Sequence, residues 1–238
     1  MLNATSVTRG FDGVKAVDDL TLSVAPGELF CLLGANGAGK TTTINLFLGF
    51  LAPDTGTVKV GDVQPANDPI AARRQLAYIP ENVALYPQLT GVENLRLFCR
   101  MGGSTLSDEA LLGLLTRAGL TAEQIHRSVD GYSKGMRQKV GLAIAYARSA
   151  SALLLDEPLS GLDPSAATDF CDELFKIREA GAAVLMTTHD LFRAKELGGT
   201  IGIMRDGRLV ETLQAEDVGG RDLERIYLHH MRRPEAKT

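Results

Sequence analysis

Gly34-Ala35-Asn36-Gly37-Ala38-Gly39-Lys40-Thr41 follows the apolar run Leu29-Phe30-Cys31-Leu32-Leu33 and precedes a stretch with no breaker before Gly49. Strand, glycine-rich loop and helix therefore come in that order. Gly34-x-x-x-x-Gly39-Lys40-Thr41 has the spacing of a loop that cradles phosphate groups. Each residue type has a physical reason. Glycines allow backbone angles closed to other residues, so that amides turn inward toward an anion. Asn36, Gly37, Ala38 and Thr42 belong to the same backbone cradle. The helix beginning near Lys40 adds the positive end of its dipole. Lys40 supplies a fixed positive charge for the outer phosphates, and Thr41 offers a hydroxyl to Mg²⁺.

A second apolar strand, Ala152-Leu153-Leu154-Leu155-Asp156-Glu157, ends in two carboxylates. Open α/β sheets bind ligands at the C-terminal ends of their strands. Asp156 is expected to reach the Mg²⁺, and Glu157 to face the attacking water as general base. Together with the loop, these residues predict binding and hydrolysis of ATP.

Outward from these motifs, short apolar runs alternate with amphipathic stretches, the pattern of βα units around a partly parallel sheet. Strands are expected at Ala16 to Val24, Glu28 to Leu33, Thr57 to Val60, Ala152 to Asp156 and Ala183 to Thr188. Pro26-Gly27 and Pro53-Asp54-Thr55-Gly56 mark turns. Residues from about 83 to 150 read as helices with no strand between them. Thr90-Gly91-Val92-Glu93 matches a capping box, Ser107 opens a further helix running to Gly119, and Met136 to Ala150 forms another. This places a helical lobe inside an α/β core. A short amphipathic helix is expected at Arg221 to Met231, with Leu223, Ile226, Tyr227 and His230 on one face, and the residues after Arg232 are expected to be loose.

The 238 residues carry 45% hydrophobic and 23% charged side chains, enough for a core of ordinary density. A net charge of −4 lacks the basic excess of a nucleic-acid binder, so no nucleic-acid partner is expected. Cys31, Cys99 and Cys171 fit neither a disulfide framework nor a metal cluster, and read as small buried hydrophobes in a reducing compartment. No apolar run approaches the ~20 residues of a membrane span. The chain itself is expected to be soluble and cytoplasmic, which leaves room for a membrane partner. His229 and His230 are neighbours on a helix and point apart, which disfavours a shared metal ion.

Between the two motifs lies Tyr132-Ser133-Lys134-Gly135-Met136, which resembles the signature of ABC transporter ATPases, commonly Leu-Ser-Gly-Gly-Gln. Ser160-Gly161-Leu162-Asp163 is similar to the D-loop of that family and Thr188-His189-Asp190 to its H-loop. The resemblance runs from Phe11 to about Gly207. It implies a P-loop NTPase core with an antiparallel β subdomain and an inserted helical lobe. It also implies a head-to-tail dimer with ATP sandwiched between the P-loop of one copy and the signature of the other, and one chain with all motifs intact makes a homodimer the simpler expectation. By this resemblance Phe11 stacks on adenine, Ser133 and Gly135 face the γ-phosphate from the opposite copy, and Asp163 acts across the interface. His189 contacts the γ-phosphate and holds the attacking water, a catalytic role shared with Glu157 and Lys40.

The chain departs from the common pattern at two places. Glu81 stands after Pro80 where glutamine is usual, and is expected to reach Mg²⁺ or a water. In the signature, Tyr132, Lys134 and Met136 replace Leu, Gly and Gln. Both departures resemble the type-2 exporter group, which implies a separate permease chain docked near Leu85, Tyr86, Leu89 and Phe98. Three alternatives stand beside it: a soluble ABC-type ATPase acting on ribosomes or DNA, an importer subunit, and a P-loop kinase or GTPase of another family. The single set of motifs, the short separation of Lys40 from the signature and the acidic balance disfavour the first. The signature and H-loop disfavour the last.

Overall fold

A computed structural model describes residues 1–231, and its strands divide into two sheets. The first is antiparallel, in the order β2 (Val14–Val24), β1 (Leu2–Phe11), β4 (Thr55–Val60). The second runs β5 (Leu76–Ile79), β6 (Ala152–Asp156), β7 (Ala183–Thr188), β3 (Leu29–Leu33), β8 (Thr200–Arg205), β9 (Arg208–Gln214). Its neighbours are parallel except β9, which pairs antiparallel with β8.

The apolar runs explain this layering. Every residue of β3, β6 and β7 is buried, as expected of strands covered on both faces. Side chains alternate across a strand. Leu29, Cys31 and Leu33 accordingly join one core cluster, while Phe30 and Leu32 join the other. The first cluster is shared with helices, the second with the antiparallel sheet and the helix after β3. All three cysteines are buried thiols, as read from the sequence.

The helices are α1 (Lys40–Phe47), α2 (Pro69–Arg74), α3 (Gly91–Met101), α4 (Asp108–Arg117), α5 (Ala122–Ile125), α6 (Lys134–Arg148), α7 (Pro164–Glu179), α8 (Leu191–Leu197) and α9 (Gly220–Met231). Between β5 and β6 the described chain is helical, with α3 to α6 in succession. The capping box at Thr90 is present in both directions. Ser107 caps α4, and Ser133 caps α6, which starts at Lys134, two residues before the expected Met136. Helix α1 stops short of Phe50 because Gly49 turns left-handed, at φ 67°. The turn is crowded, and a Cβ there would lie 2.8 Å from the Pro65 carbonyl oxygen.

Several elements were not anticipated. Strands β1, β8 and β9 lie in stretches where charged or glycine residues interrupt the alternation. Helices α2 and α5 are too short to show a period. In α9, Leu223 is buried and Ile226 and Tyr227 pack on the core, while His230 turns toward Glu211 at 3.2 Å. The expectation for the residues after Arg232 lies outside the described residues. Leu85, expected at a docking surface, is a core residue, and of the other residues expected there, Tyr86, Leu89 and Phe98, Tyr86 is the exposed one, its ring tilted on Phe98 at 6.3 Å.

Candidate active site

Three adjacent strands end together. In the order β6, β7, β3, their C-terminal ends carry Asp156 and Glu157, then Thr188 and His189, then the loop from Gly34. Parallel pairing makes this unavoidable, because Leu33 registers with Thr188, and Asp156 with Thr187.

The loop has an open helix end. Helices α2 to α8 each begin with a side-chain cap on a first-turn amide. Helix α1 has none, and its N-cap is Gly39 in a left-handed conformation, φ 107°. Its first-turn amides therefore keep their donors for an anion. Gly37 is left-handed as well, at φ 82°. Gly34 is required by space, since a Cβ would sit 2.5 Å from the Met204 carbonyl oxygen. Asn36, Ala38 and Thr42 lie along the same segment, with the Ala38 amide donating to Ala35 at 3.1 Å.

Lys40, only 6% exposed, is held by its own loop. Its Nζ donates to the carbonyls of Gly34 at 2.6 Å and Ala35 at 3.2 Å. It also lies 3.1 Å from Glu157 Oε1. That approach is an ion pair without hydrogen-bond alignment, so Glu157 Oε1 is buried with no hydrogen-bond partner. Glu157 Oε2 meets His189 Nδ1 at 2.8 Å. A carboxylate has no hydrogen to give, so Nδ1 must carry one and Nε2 points away from Glu157. Glu157 itself has φ 48°, a left-handed angle that side-chain-bearing residues adopt at a cost.

Thr41 and Asp156 form the candidate cation site. The Thr41 hydroxyl donates to Asp156 Oδ1 at 3.3 Å. An exposed hydroxyl beside a nearly buried carboxylate is an oxygen donor set suited to Mg²⁺. Burial, with a smaller contribution from the charge of Asp156, pushes the Tyr78 hydroxyl up to about 12.

The sequence reading missed one member of this group. Thr187 is fully buried and its hydroxyl donates to Asp156 Oδ1 at 2.6 Å while accepting from the Glu157 amide at 3.1 Å. It fixes the Asp156 carboxylate and the Glu157 backbone from the neighbouring strand. A polar residue directly after the apolar run Ala183 to Met186 was its only trace. Thr187→Val preserves shape and removes both bonds. We expect a loss of about 1–3 kcal/mol in chemical unfolding, the range for a buried polar group left unpaired. ATP turnover should fall about tenfold, from misplacement of the two acids. Parental turnover in the valine variant would show that Thr187 is only structural.

The other expected residues lie around this centre. Phe11 ends β1, 42% exposed, with the Arg9 guanidinium 4.9 Å above its ring. Asp163 caps α7, accepting from the Ala166 amide at 3.0 Å. Ser133 is exposed and caps α6 through the Met136 amide at 3.2 Å. Gly135 lets α6 sit close to α7, since a Cβ would lie 3.1 Å from Ala166 Cβ. Glu81 pairs with Lys134 at 3.5 Å. Tyr132 is buried, its hydroxyl donating to the Gln124 carbonyl, so this departure from leucine serves packing against α5. Burial also raises the Tyr132 hydroxyl above its usual value.

The profile of the ABC transporter family matches residues 17–160, from β2 through the acid pair of β6. The chain belongs to this family. The ATP-binding protein YhcH of Bacillus subtilis, from an uncharacterised ABC transporter, is 35% identical over 218 residues, covering 91% of this chain and 71% of that protein. The linearmycin resistance ATP-binding protein LnrL of the same organism is 30% identical, covering 88% of this chain and 68% of its own. A solved ATP-binding subunit of an ABC transporter superposes with a TM-score of 0.86 at 30% identity, covering 98% of this chain and all of that one. The fold is that of an ABC ATPase, and the enzymatic class is ATPase. Among the described residues no helix is long and apolar enough to cross a membrane.

Proposed function

We propose that this ABC ATPase drives a separate membrane permease, as an exporter subunit, from the cytoplasmic face of the membrane. The observation that carries the hydrolytic part is the meeting of Lys40, Asp156, Glu157 and His189 at the ends of three neighbouring strands. The α1 amides and Lys40 would bind the phosphates of ATP, with Phe11 stacked on the base. Thr41 and Asp156 would hold Mg²⁺, which neutralises phosphate charge when bound. Glu157 would orient the attacking water and accept its proton, with His189 holding that carboxylate in place. The orphaned Glu157 Oε1 supports this reading, because it is a buried acceptor waiting for a donor.

Two identical copies would complete each site. Ser133 and Gly135 open α6 with the Ser133 side chain exposed, and no hydrogen bond joins them to the loop of their own chain among the described residues. A helix opening presented outward suits a phosphate carried by a second copy. The export direction rests on Pro80-Glu81, on Tyr132-Ser133-Lys134-Gly135-Met136, and on likeness to LnrL, a protein named for resistance. Expressed in its native host with a tag, the chain should be recovered from detergent-solubilised membranes together with an integral membrane protein in fixed ratio. Recovery from the soluble fraction alone would sink the permease assignment.

A further inference from the structure

Two of the positions at which this chain leaves the common pattern of its family face each other. Lys134, in the signature, lies 3.5 Å from Glu81 in the loop after β5. One turn along the same face of α6, Gln138 is 1% exposed and its amide donates to the carbonyls of Pro80 at 3.3 Å and Glu81 at 3.0 Å. Its own Oε1 is buried with no partner. A further turn on, Gly141 allows the closest approach. A Cβ there would lie 3.2 Å from Val83 Cγ2 and 3.3 Å from Ile79 Cγ2. Positions 134, 138 and 141 follow the i, i+4, i+7 spacing of one helix face. That face is pressed against the end of β5 and the loop beyond it.

We infer that Lys134 and Gln138 are positioning residues that bind the Pro80–Glu81 segment to the opening turn of α6. The segment and the opening turn then move as one body, and Glu81 helps set where Ser133 and Gly135 stand. The Gln138 amide supplies a neutral, buried link. The Lys134–Glu81 pair supplies a charged one. Glutamate and lysine replace the commoner residues together because each is the partner of the other. A lone lysine at 134 would put an uncompensated charge beside the opening turn. A lone glutamate at 81 would be free to turn elsewhere. This inference rests on the paired-site reading above.

The test uses the full chain carrying Glu157→Gln and measures ATP-dependent dimerisation with Mg-ATP by analytical ultracentrifugation. Lys134→Glu should weaken dimerisation about 3–10-fold, the range for losing a partly exposed pair and gaining a like-charge contact. Glu81→Lys should weaken it similarly. The double reversal should return to within about twofold of the parent, as should Lys134→Arg. Binding of Mg-ATP to monomeric Lys134→Glu should stay within about twofold, which separates positioning from a general loss of folding. Gln138→Leu should weaken dimerisation about tenfold, since two carbonyls lose their donor. Single reversals that leave dimerisation unchanged, or that simply multiply in the double variant, overturn the inference alone. A Glu157→Gln parent that stays monomeric with Mg-ATP sinks the paired-site reading and this inference with it.

Discussion

Glu157→Gln is expected to bind Mg-ATP more tightly than the parent protein while turning it over about 10²–10⁴-fold more slowly, the usual contribution of a general base. Two features of the site produce opposite effects on binding and turnover. Glu157 Oε1 lies 3.1 Å from Lys40 Nζ and so competes with phosphate for that cation. The neutral amide ends this competition and removes a charge that repels the nucleotide. It also removes the base. The glutamine can still accept from His189, so the geometry at 2.8 Å should survive. Equilibrium binding and single-turnover hydrolysis read the two effects separately. In the same background the ATP-bound pair should accumulate, and Ser133→Arg should return it to monomer without loss of ATP binding. Normal steady-state turnover by the glutamine variant would remove Glu157 from the role of base.

Gly39→Ala should have the larger effect on binding. Gly39 is the N-cap of α1 at φ 107°, where any side chain is strained by about 1–3 kcal/mol. Space makes the substitution worse. The new Cβ would land against the Ala16 carbonyl oxygen, well inside contact distance, and 2.7 Å from Met204 Cε. The methionine can move, but the Ala16 backbone is fixed in β2, so the loop must give way. Its amides would then no longer converge. ATP affinity should fall at least a hundredfold, because the loss of several aligned donors is not confined to one bond. Melting temperature should also fall by several degrees. Gly37→Ala is the control, since a Cβ there meets nothing within 4 Å and only the φ of 82° opposes it. Equal losses at both positions would show that backbone angle alone, and not the contact with β2, sets the cost.

Much of this site was legible in the sequence because its residues are local. Gly34 to Thr41 is one loop, and Asp156 with Glu157 ends one strand, so each motif carries its own spacing. The contacts between motifs carry no such spacing. Thr187 looked like part of an apolar strand, yet its hydroxyl serves two residues on the next strand. Glu81 was read toward the cation because of its place after Pro80, and its pairing with Lys134, 53 positions on, left no local trace. The fold followed the same division. The fully buried strands β3, β6 and β7 were clear from composition, and the capped helices from Thr90 and Ser107. The strands β1, β8 and β9 depend on pairing with distant partners, which no local pattern records.

The strand order has a consequence for how the protein comes into being. Thr41 and Asp156 are 115 positions apart, and β7, which lies between β3 and β6, follows both in the chain. The motif that signals phosphate binding is thus synthesised long before the strand that brings the acids to it. During synthesis the emerging N-terminal half has its phosphate loop but no joined catalytic centre, and contacts of such long sequence separation form slowly. An arrested chain ending before Ala183 should therefore be unable to hydrolyse ATP, because Thr187 and His189, which hold Asp156 and Glu157, have not yet been made.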